Sequence, residues 1–316
     1  MEYSKSKYYG YLIKGKLKDA IVYLEQFPEK IEKTEKYRQV FLRKILPCPS
    51  DNLVINNILY PFYMYYHDVF FDEIGEDASR VLLTERLAQL LELDYSKMWT
   101  SMERETFFCN EIEPRLEELV ISEGYHYLGG ETQGHKGPYI WKETKKQTFD
   151  VQLPNQKTQY TVNLLSGFIS RSWLAYISLN EIGPGGWAGR DGIINCVIEA
   201  YTGGVKSEDF QVGLLKHEAQ HIIDYDMYPE ISSIDLEYRA KLVELIYATN
   251  NTFLHFFQSA SKEDSTNSHA YSSYKIVKDL SMKIWGIEYE TNLNHWKSVE
   301  HQIKDYALEL YEEFKI

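Results

Sequence analysis

Residues 217–221 read His-Glu-Ala-Gln-His, an HExxH pattern within a run whose apolar residues recur at helical spacing. On an α-helix, residues four positions apart lie on one face about one turn apart, so both imidazoles can reach a single metal ion. Val212, Leu215 and Ala219 form an apolar stripe at three- and four-residue intervals, which is typical of a helix that packs into a core. The sequence therefore predicts a fold in which one buried helix directs both histidine side chains toward the same point.

The ends of this helix and the start of the next are also marked in the sequence. Ser207, followed by two acidic residues, is a strong N-cap, and Pro229 ends the helix. Ser232 with Asp235 three residues later resembles a capping box and predicts a second helix. The turn between the two helices is short, so we expect them to run antiparallel and side by side.

The metal that we expect is zinc, one ion per chain. A catalytic zinc usually has three protein ligands and leaves one position for water. His217 and His221 supply two ligands, and Glu237 is the predicted third, because it lies 16 residues past His221 on the returning helix. Asp235 and Glu244 remain the alternatives for the third ligand.

Three further carboxylates near the motif are assigned roles. Glu218 can approach a water on the metal without being a ligand, which predicts that it is the general base. Asp224 and Glu244 lie on the same faces as the predicted ligands and are expected to orient the imidazoles by hydrogen bonding. The alternative is that Glu237, Glu244 and Arg239 are ordinary surface charges.

The motif at 217–221, with Glu237 and Ala240 on the next helix, resembles the gluzincin group of zinc metallopeptidases. That resemblance implies that two histidines and a downstream glutamate hold zinc while the motif glutamate activates water. One departure is that Lys241 stands four residues after Glu237, where the thermolysin-type motif has aspartate.

The runs 217–225 and 236–242 also resemble a set of poorly characterised bacterial HExxH proteins. In zincins a β-sheet precedes the metal helix, and its edge strand lines the cleft and pairs with extended substrate. The resemblance therefore implies a zincin-like α+β fold.

Composition limits the classes of partner. The formal net charge is −13, with 34 basic and 47 acidic residues, which argues against nucleic-acid binding and against an anionic membrane surface. The first residues contain no signal-like apolar stretch, no run is long enough to span a membrane, and the three cysteines are far apart. We expect a cytoplasmic protein with a peptide or protein substrate.

Three consecutive regions are predicted. Residues 1–123 are mainly helical, and the aromatic run 60–71 within them is interpreted as core, with a peptide-binding groove as the alternative. Residues 124–205 alternate in β fashion, with two strands around a turn at 154–157, and line the cleft. Residues 206–316 form a helical metal-binding region, and 124–316 together are the expected catalytic domain.

Substrate contacts are predicted on both sides of the metal helix. The glycine-rich segment before it supplies Gly185, Gly186 and Trp187, with backbone close to substrate and the tryptophan packing its strand. His269, with Ser268 as the helix cap, is a candidate donor to the developing oxyanion, and Tyr271 is its substitute.

The function predicted from these residues is a zinc-dependent peptidase. One alternative is a non-catalytic zincin-like binding or scaffold protein, and another is a zinc hydrolase of a non-peptide amide. The intact Glu218 favours catalysis, because a structural zinc site needs only ligands, and usually four of them.

Overall fold

The computed structural model of the chain describes residues 2–95, 100–189, 191–249, 252–260, 262 and 267–315. The helices are α1 Lys5–Ile13, α2 Leu17–Glu25, α3 Ile31–Tyr37, α4 Leu53–Phe70, α5 Glu76–Leu90, α6 Ser101–Phe107, α7 Glu113–Ser122, α8 Ser172–Ile177, α9 Glu208–Phe210, α10 His217–Met227, α11 Ser233–Tyr247, α12 Thr252–Ser259, α13 Ser268–Trp285, α14 Leu293–Ser298 and α15 Glu300–Glu313. The strands are β1 His126–Leu128, β2 Glu131–Thr132, β3 His135–Lys136, β4 Tyr139–Trp141, β5 Glu143–Gln152, β6 Lys157–Ser166, β7 Ser170–Arg171, β8 Gly186–Ala188 and β9 Ile194–Val197. The α+β class is confirmed.

The chain forms two compact units, each made of separated stretches. Unit 1 contains Met1–Glu143 and Ser166–Pro184, and unit 2 contains Thr144–Leu165 and Gly185–Ile316. The predicted β-rich range 124–205 is therefore divided between the two units. Among the described residues, no helix is long and apolar enough to cross a lipid bilayer.

Unit 1 is built around an aromatic core. Its described strands form the antiparallel sheet β1-β4-β7 and the small pair β2-β3, and its remaining elements are helical. Helix α4 carries most of the aromatic run: Phe62, Tyr65 and Tyr66 are at most 1% exposed, whereas Tyr60 is 54% exposed. The interpretation of this run as core is confirmed, because most of its aromatic rings are buried in the hydrophobic core of unit 1.

Unit 2 contains a four-stranded sheet in the order β5-β6-β9-β8. The predicted strand–turn–strand at 149–162 is present, and the amide of Leu153 donates to the carbonyl of Gln156 in the turn. Strand β9 runs parallel to β6 and antiparallel to β8, so β8 is an edge strand. The core of this unit joins the sheet to α10, α11, α13 and α15.

The helix that carries the HExxH motif starts and ends as the sequence predicts. Ser207 accepts a hydrogen bond from the amide of Phe210, and the helix ends at Met227, two residues before Pro229. The intervening segment Gln211–Lys216 is π-helical, which the regular apolar spacing did not indicate. The π segment adds one residue to the turn, a local widening that is frequent at functional sites.

Candidate metal centre

The two motif histidines lie on α10 and face the same point. His217 and His221 are each 7% exposed, and their ring centroids are 4.5 Å apart with the planes nearly perpendicular. The four-residue spacing on one helix accounts for this arrangement, because it places the two side chains one above the other.

Glu237 on α11 completes a three-residue donor set. His217 Nε2 lies 3.5 Å from Glu237 Oε2, and His221 Nε2 lies 3.5 Å from Glu237 Oε1. Donors bonded to one tetrahedral zinc at about 2.0–2.2 Å stand roughly 3.3–3.5 Å apart. Oε2 of Glu237 is also buried without a hydrogen-bond donor. The spacing and the burial fit a zinc ion held by these three residues, although Nδ1 of His269 also lies 2.9 Å from Oε2 of Glu237.

Glu218 lies beside the same point. Its carboxylate is within 4.8 Å of ligand atoms of both histidines, so it is geometrically a rival third donor. However, Oε2 of Glu218 accepts a hydrogen bond of 2.8 Å from the amide of Ala188 on β8. Glu237 lies 3.5 Å from each imidazole, so it stays the predicted ligand and Glu218 stays the predicted base.

Glu244 orients His217, as its position on the same face of α11 predicts. Its Oε1 lies 2.6 Å from His217 Nδ1, which leaves Nε2 directed toward Glu237. Burial acts to lower the pKa of His217, but the hydrogen bond and charge of Glu244, followed by the charges of Glu218 and Glu237, raise it to about 9. A metal ion must therefore displace a proton from this imidazole.

Opposing effects also act on Glu237. Its burial raises the pKa, but contacts with His221 and His269 and the charge of His217 outweigh that effect and hold the pKa well below its usual range. Glu237 is thus a carboxylate at neutral pH, the form that binds a metal ion.

Asp224 is fully buried on α10, one turn after Gln220. Its Oδ1 accepts hydrogen bonds of 2.8 Å from both Gln220 Nε2 and Arg239 Nε. Its Oδ2 is buried without a partner, as is Nδ1 of His221. Asp224 and His221 make no hydrogen bond with each other, so the predicted orienting contact is not formed here, and each residue keeps one buried atom without a partner.

His269 and Tyr271 lie on the first turn of α13 but have different surroundings. Nδ1 of His269 is 2.9 Å from Glu237 Oε2, although the angle leaves that oxygen without a hydrogen bond, and the histidine side chain is 68% exposed. Tyr271 instead packs against Tyr274 and lines a shallow cavity with Asp235. The helix cap is Asn267 and not Ser268, because the Asn267 oxygen is the one that reaches the amide of Ala270.

The glycines of β8 allow close packing. A Cβ at Gly186 would clash with the side chain of Leu214, and one at Gly185 would press on the hydroxyl of Tyr201. Trp187, between Gly186 and Ala188 in the sequence, is half-buried. Strand β8, which carries Gly186 and Trp187 and directly follows Gly185, therefore lies against the π-helical segment that leads into the motif.

Asp235, an alternative third ligand, is occupied elsewhere. Its carboxylate binds Lys275 at 2.7 Å and accepts from the hydroxyl of Ser232. Arg239, Glu237 and Glu244 are buried or nearly so rather than surface charges, since their side chains are 5%, 10% and 14% exposed.

Sequence reasoning missed two residues close to the centre. Lys241 is buried, donates to the carbonyl of His269 and to Ser273, and has a pKa lowered to about 8 by burial despite the charges of Glu237 and Glu244. Its position between two acids on one helix face was the available signal. Burial, followed by nearby negative charges that include Glu218, raises the pKa of Tyr201.

Comparisons with family models, curated proteins and solved structures found no match to this chain. The resemblance to gluzincins therefore rests on the motif residues alone.

Proposed function

We propose that the protein is a zinc-dependent peptidase that holds one zinc ion per chain through His217, His221 and Glu237. The observation that carries this proposal is the convergence of the two Nε2 atoms on the two oxygens of one buried carboxylate, at 3.5 Å each. In a protein that binds no metal, burying these histidine and glutamate side chains would lower the stability of the fold, because buried polar atoms without partners are destabilising.

Glu218 is the proton carrier in this proposal. Zinc, when bound, would supply a Lewis acid that lowers the pKa of its water toward 7 and polarises the substrate carbonyl. Glu218 accepts the proton of the attacking water and then donates it to the departing amine. The amide of Ala188 holds one of its oxygens, which fixes the direction of the carboxylate.

Edge strand β8 is the proposed substrate platform, in keeping with a zincin-like arrangement. The carbonyl of Gly185 accepts from the amide of Val197, and the amide of Gly189 donates to the carbonyl of Ile193, so the backbone groups of Gly186 and Ala188 face away from β9. The amide of Ala188 already donates to Glu218, which leaves the amide of Gly186 and the carbonyls of Gly186 and Ala188 for a peptide. An extended peptide could add to this edge by backbone hydrogen bonding. The Ala188–Glu218 contact supports the proposal, because it puts the general base next to that row of groups.

His269 is assigned to the developing oxyanion. Its ring is solvent-accessible while Nδ1 contacts the predicted ligand Glu237, so it borders the open side of the centre. A donor at that position would stabilise negative charge that appears on the carbonyl oxygen. Tyr201, whose hydroxyl lies against Gly185, is a second candidate hydrogen-bond donor, on the side of strand β8.

The proposal is tested by metal analysis and an unbiased peptide-library digest on three variants. Glu218→Gln keeps the side-chain shape but cannot accept a proton, so it should retain one zinc and lose at least about 10²–10⁴-fold in hydrolysis. His217→Ala should lose the metal. Asp226→Asn, an exposed acid on the same helix, is the matched control and should retain both zinc and activity.

Two outcomes would contradict the proposal. Absence of stoichiometric zinc in the wild-type protein would remove the metal centre. Equal loss of zinc from Glu218→Gln and His217→Ala would make Glu218 a ligand, and the catalytic assignment would fail.

A further inference from the structure

A buried hydrogen-bonded chain connects the last turn of α15 to the metal helix. The hydroxyl of Tyr311 donates to Gln220 Oε1 at 2.9 Å, and Gln220 Nε2 donates to Asp224 Oδ1 at 2.8 Å. Gln220 is one of the two variable positions inside the HExxH motif and immediately precedes His221. Both Gln220 and Asp224 are 0% exposed, so neither can exchange these partners for bulk water.

A second connection reaches the same carboxylate from α11. Arg239 Nε donates to Asp224 Oδ1 at 2.8 Å. The Arg239 guanidinium carbon lies 4.5 Å from the ring centroid of Tyr311 and 4.9 Å from that of Phe314. Tyr311, in the last turn of α15, is therefore linked to Asp224 indirectly by two routes, one through Gln220 and one through Arg239.

The hydrogen bonds from Gln220 and Arg239 hold Oδ1 of Asp224, whereas Oδ2 makes no hydrogen bond. Asp224 Oδ2 and His221 Nδ1 are both buried without a hydrogen-bond partner, and their residues are three positions apart on α10. An imidazole that binds a metal through Nε2 carries its proton on Nδ1 and needs an acceptor for it. Asp224 Oδ2 belongs to a residue three positions along the same helix whose Oδ1 is held by Gln220 and Arg239. The two atoms make no hydrogen bond with each other here, so the bond is part of the proposal and not of the observed contacts.

We propose that the last turn of α15 is a positioning element of the metal centre: Tyr311, acting through Gln220 and Arg239, holds Asp224 so that Oδ2 accepts the proton of metal-bound His221. This inference rests on the proposed metal centre but not on the identity of the substrate. Tyr311 and Asp224 are positioning residues and make no contact with the reacting atoms. Asp224 serves His221 as Glu244 serves His217.

The test compares two tyrosine hydroxyls that are alike in burial. Tyr311→Phe removes the bond to Gln220, whereas Tyr238→Phe removes a 2.8 Å bond to Asp279 from a residue adjacent to Glu237. Both tyrosines are 4% exposed, so both changes should shift the unfolding midpoint of the metal-free protein by similar amounts. Only Tyr311→Phe should alter the metal site.

The readouts are the zinc dissociation constant, from competition with a chelator, and the visible absorption spectrum of the Co²⁺-loaded protein. Asp224→Asn should weaken zinc binding about 10–100-fold, as expected for loss of a ligand's hydrogen-bond partner. Tyr311→Phe, one contact further away, should weaken it about 3–10-fold and change the Co²⁺ spectrum in the same direction. Tyr238→Phe should leave both measurements at wild-type values.

The outcomes separate this inference from the proposed function. One outcome is that wild type binds one zinc but both variants have the wild-type zinc affinity and Co²⁺ spectrum. In that case the positioning role is wrong and the metal centre stands. If wild type binds no zinc, both proposals fall. If Tyr311→Phe does not fold, Gln220→Met, which keeps the side-chain volume, replaces it with the same expected loss and the same refuting result.

Discussion

Replacing Glu244 with glutamine tests the proposed metal centre at its shortest charged contact. Glu244 Oε1 lies 2.6 Å from His217 Nδ1, and its side chain is 14% exposed, so solvent screens the pair only weakly. Glutamine keeps the size and an acceptor oxygen but removes the charge. Loss of the carboxylate that orients a metal-binding imidazole weakens metal binding about 10–100-fold, which corresponds to about 1.4–2.8 kcal/mol.

A second effect of this change opposes the first and decides the conditions of the assay. Glu244 is the main cause that raises the pKa of His217 to about 9, so its removal also relieves competition from the proton. At pH 7 that relief could recover up to about 100-fold in affinity, whereas at pH 9 it recovers at most about twofold. The dissociation constant should therefore be measured at pH 9, where the weaker hydrogen bond to His217 Nδ1 dominates.

Asp235→Asn is the matched control for Glu244→Gln. Asp235 lies on the same helix and has a charged partner, Lys275, at 2.7 Å, but no contact with either histidine is among those described. We expect zinc binding at pH 9 to weaken at least tenfold in Glu244→Gln and to change less than twofold in Asp235→Asn. An unchanged affinity in Glu244→Gln would refute the orienting role, and a large loss in Asp235→Asn would favour Asp235 as the ligand.

Two further predictions concern stability. Burial lowers the pKa of His67 from 6.5 to about 4. The unfolded chain therefore binds more protons across this window, and the free energy of unfolding should fall by up to about 3 kcal/mol as pH drops from 6.5 to 4. Urea unfolding should show a shallower fall in His67→Gln, and an unchanged fall would refute the assignment. Gly186→Ala should lower the free energy of unfolding by about 1–3 kcal/mol through its clash with Leu214, whereas Gly10→Ala, at an open helical site, should raise it by about 0.5–1 kcal/mol. Equal effects would contradict the packing argument.

The parts of the site that follow from local chemistry were predictable from the sequence. The caps at Ser207 and Ser232 depend on a hydroxyl reaching an amide three residues away, and both are present. The strand–turn–strand before the metal helix follows from alternation of apolar residues around turn residues, and it is present as β5 and β6. These features need no knowledge of the remaining chain.

The parts that depend on distant residues could not be predicted. Arg239 looked like a surface charge because its partner Asp224 lies 15 residues back, and Tyr311, whose ring it contacts, lies more than 70 residues ahead. The π-helical segment before His217 was missed because the apolar spacing of Val212 and Leu215 fits either helix type. The choice of Asn267 over Ser268 as a cap depends on which side chain faces the helix end, since both residue types cap well.

The parallel pairing of β6 with β9 has a practical consequence for anyone dividing this chain. Parallel neighbours need a long connection, and here that connection includes Ser166–Pro184, which belongs to unit 1. A fragment that starts at Gly185 would carry every proposed zinc ligand but lack two of the four strands. No single cut isolates either unit, so a minimal fragment with the proposed metal centre would have to join Thr144–Leu165 to Gly185 through an artificial linker.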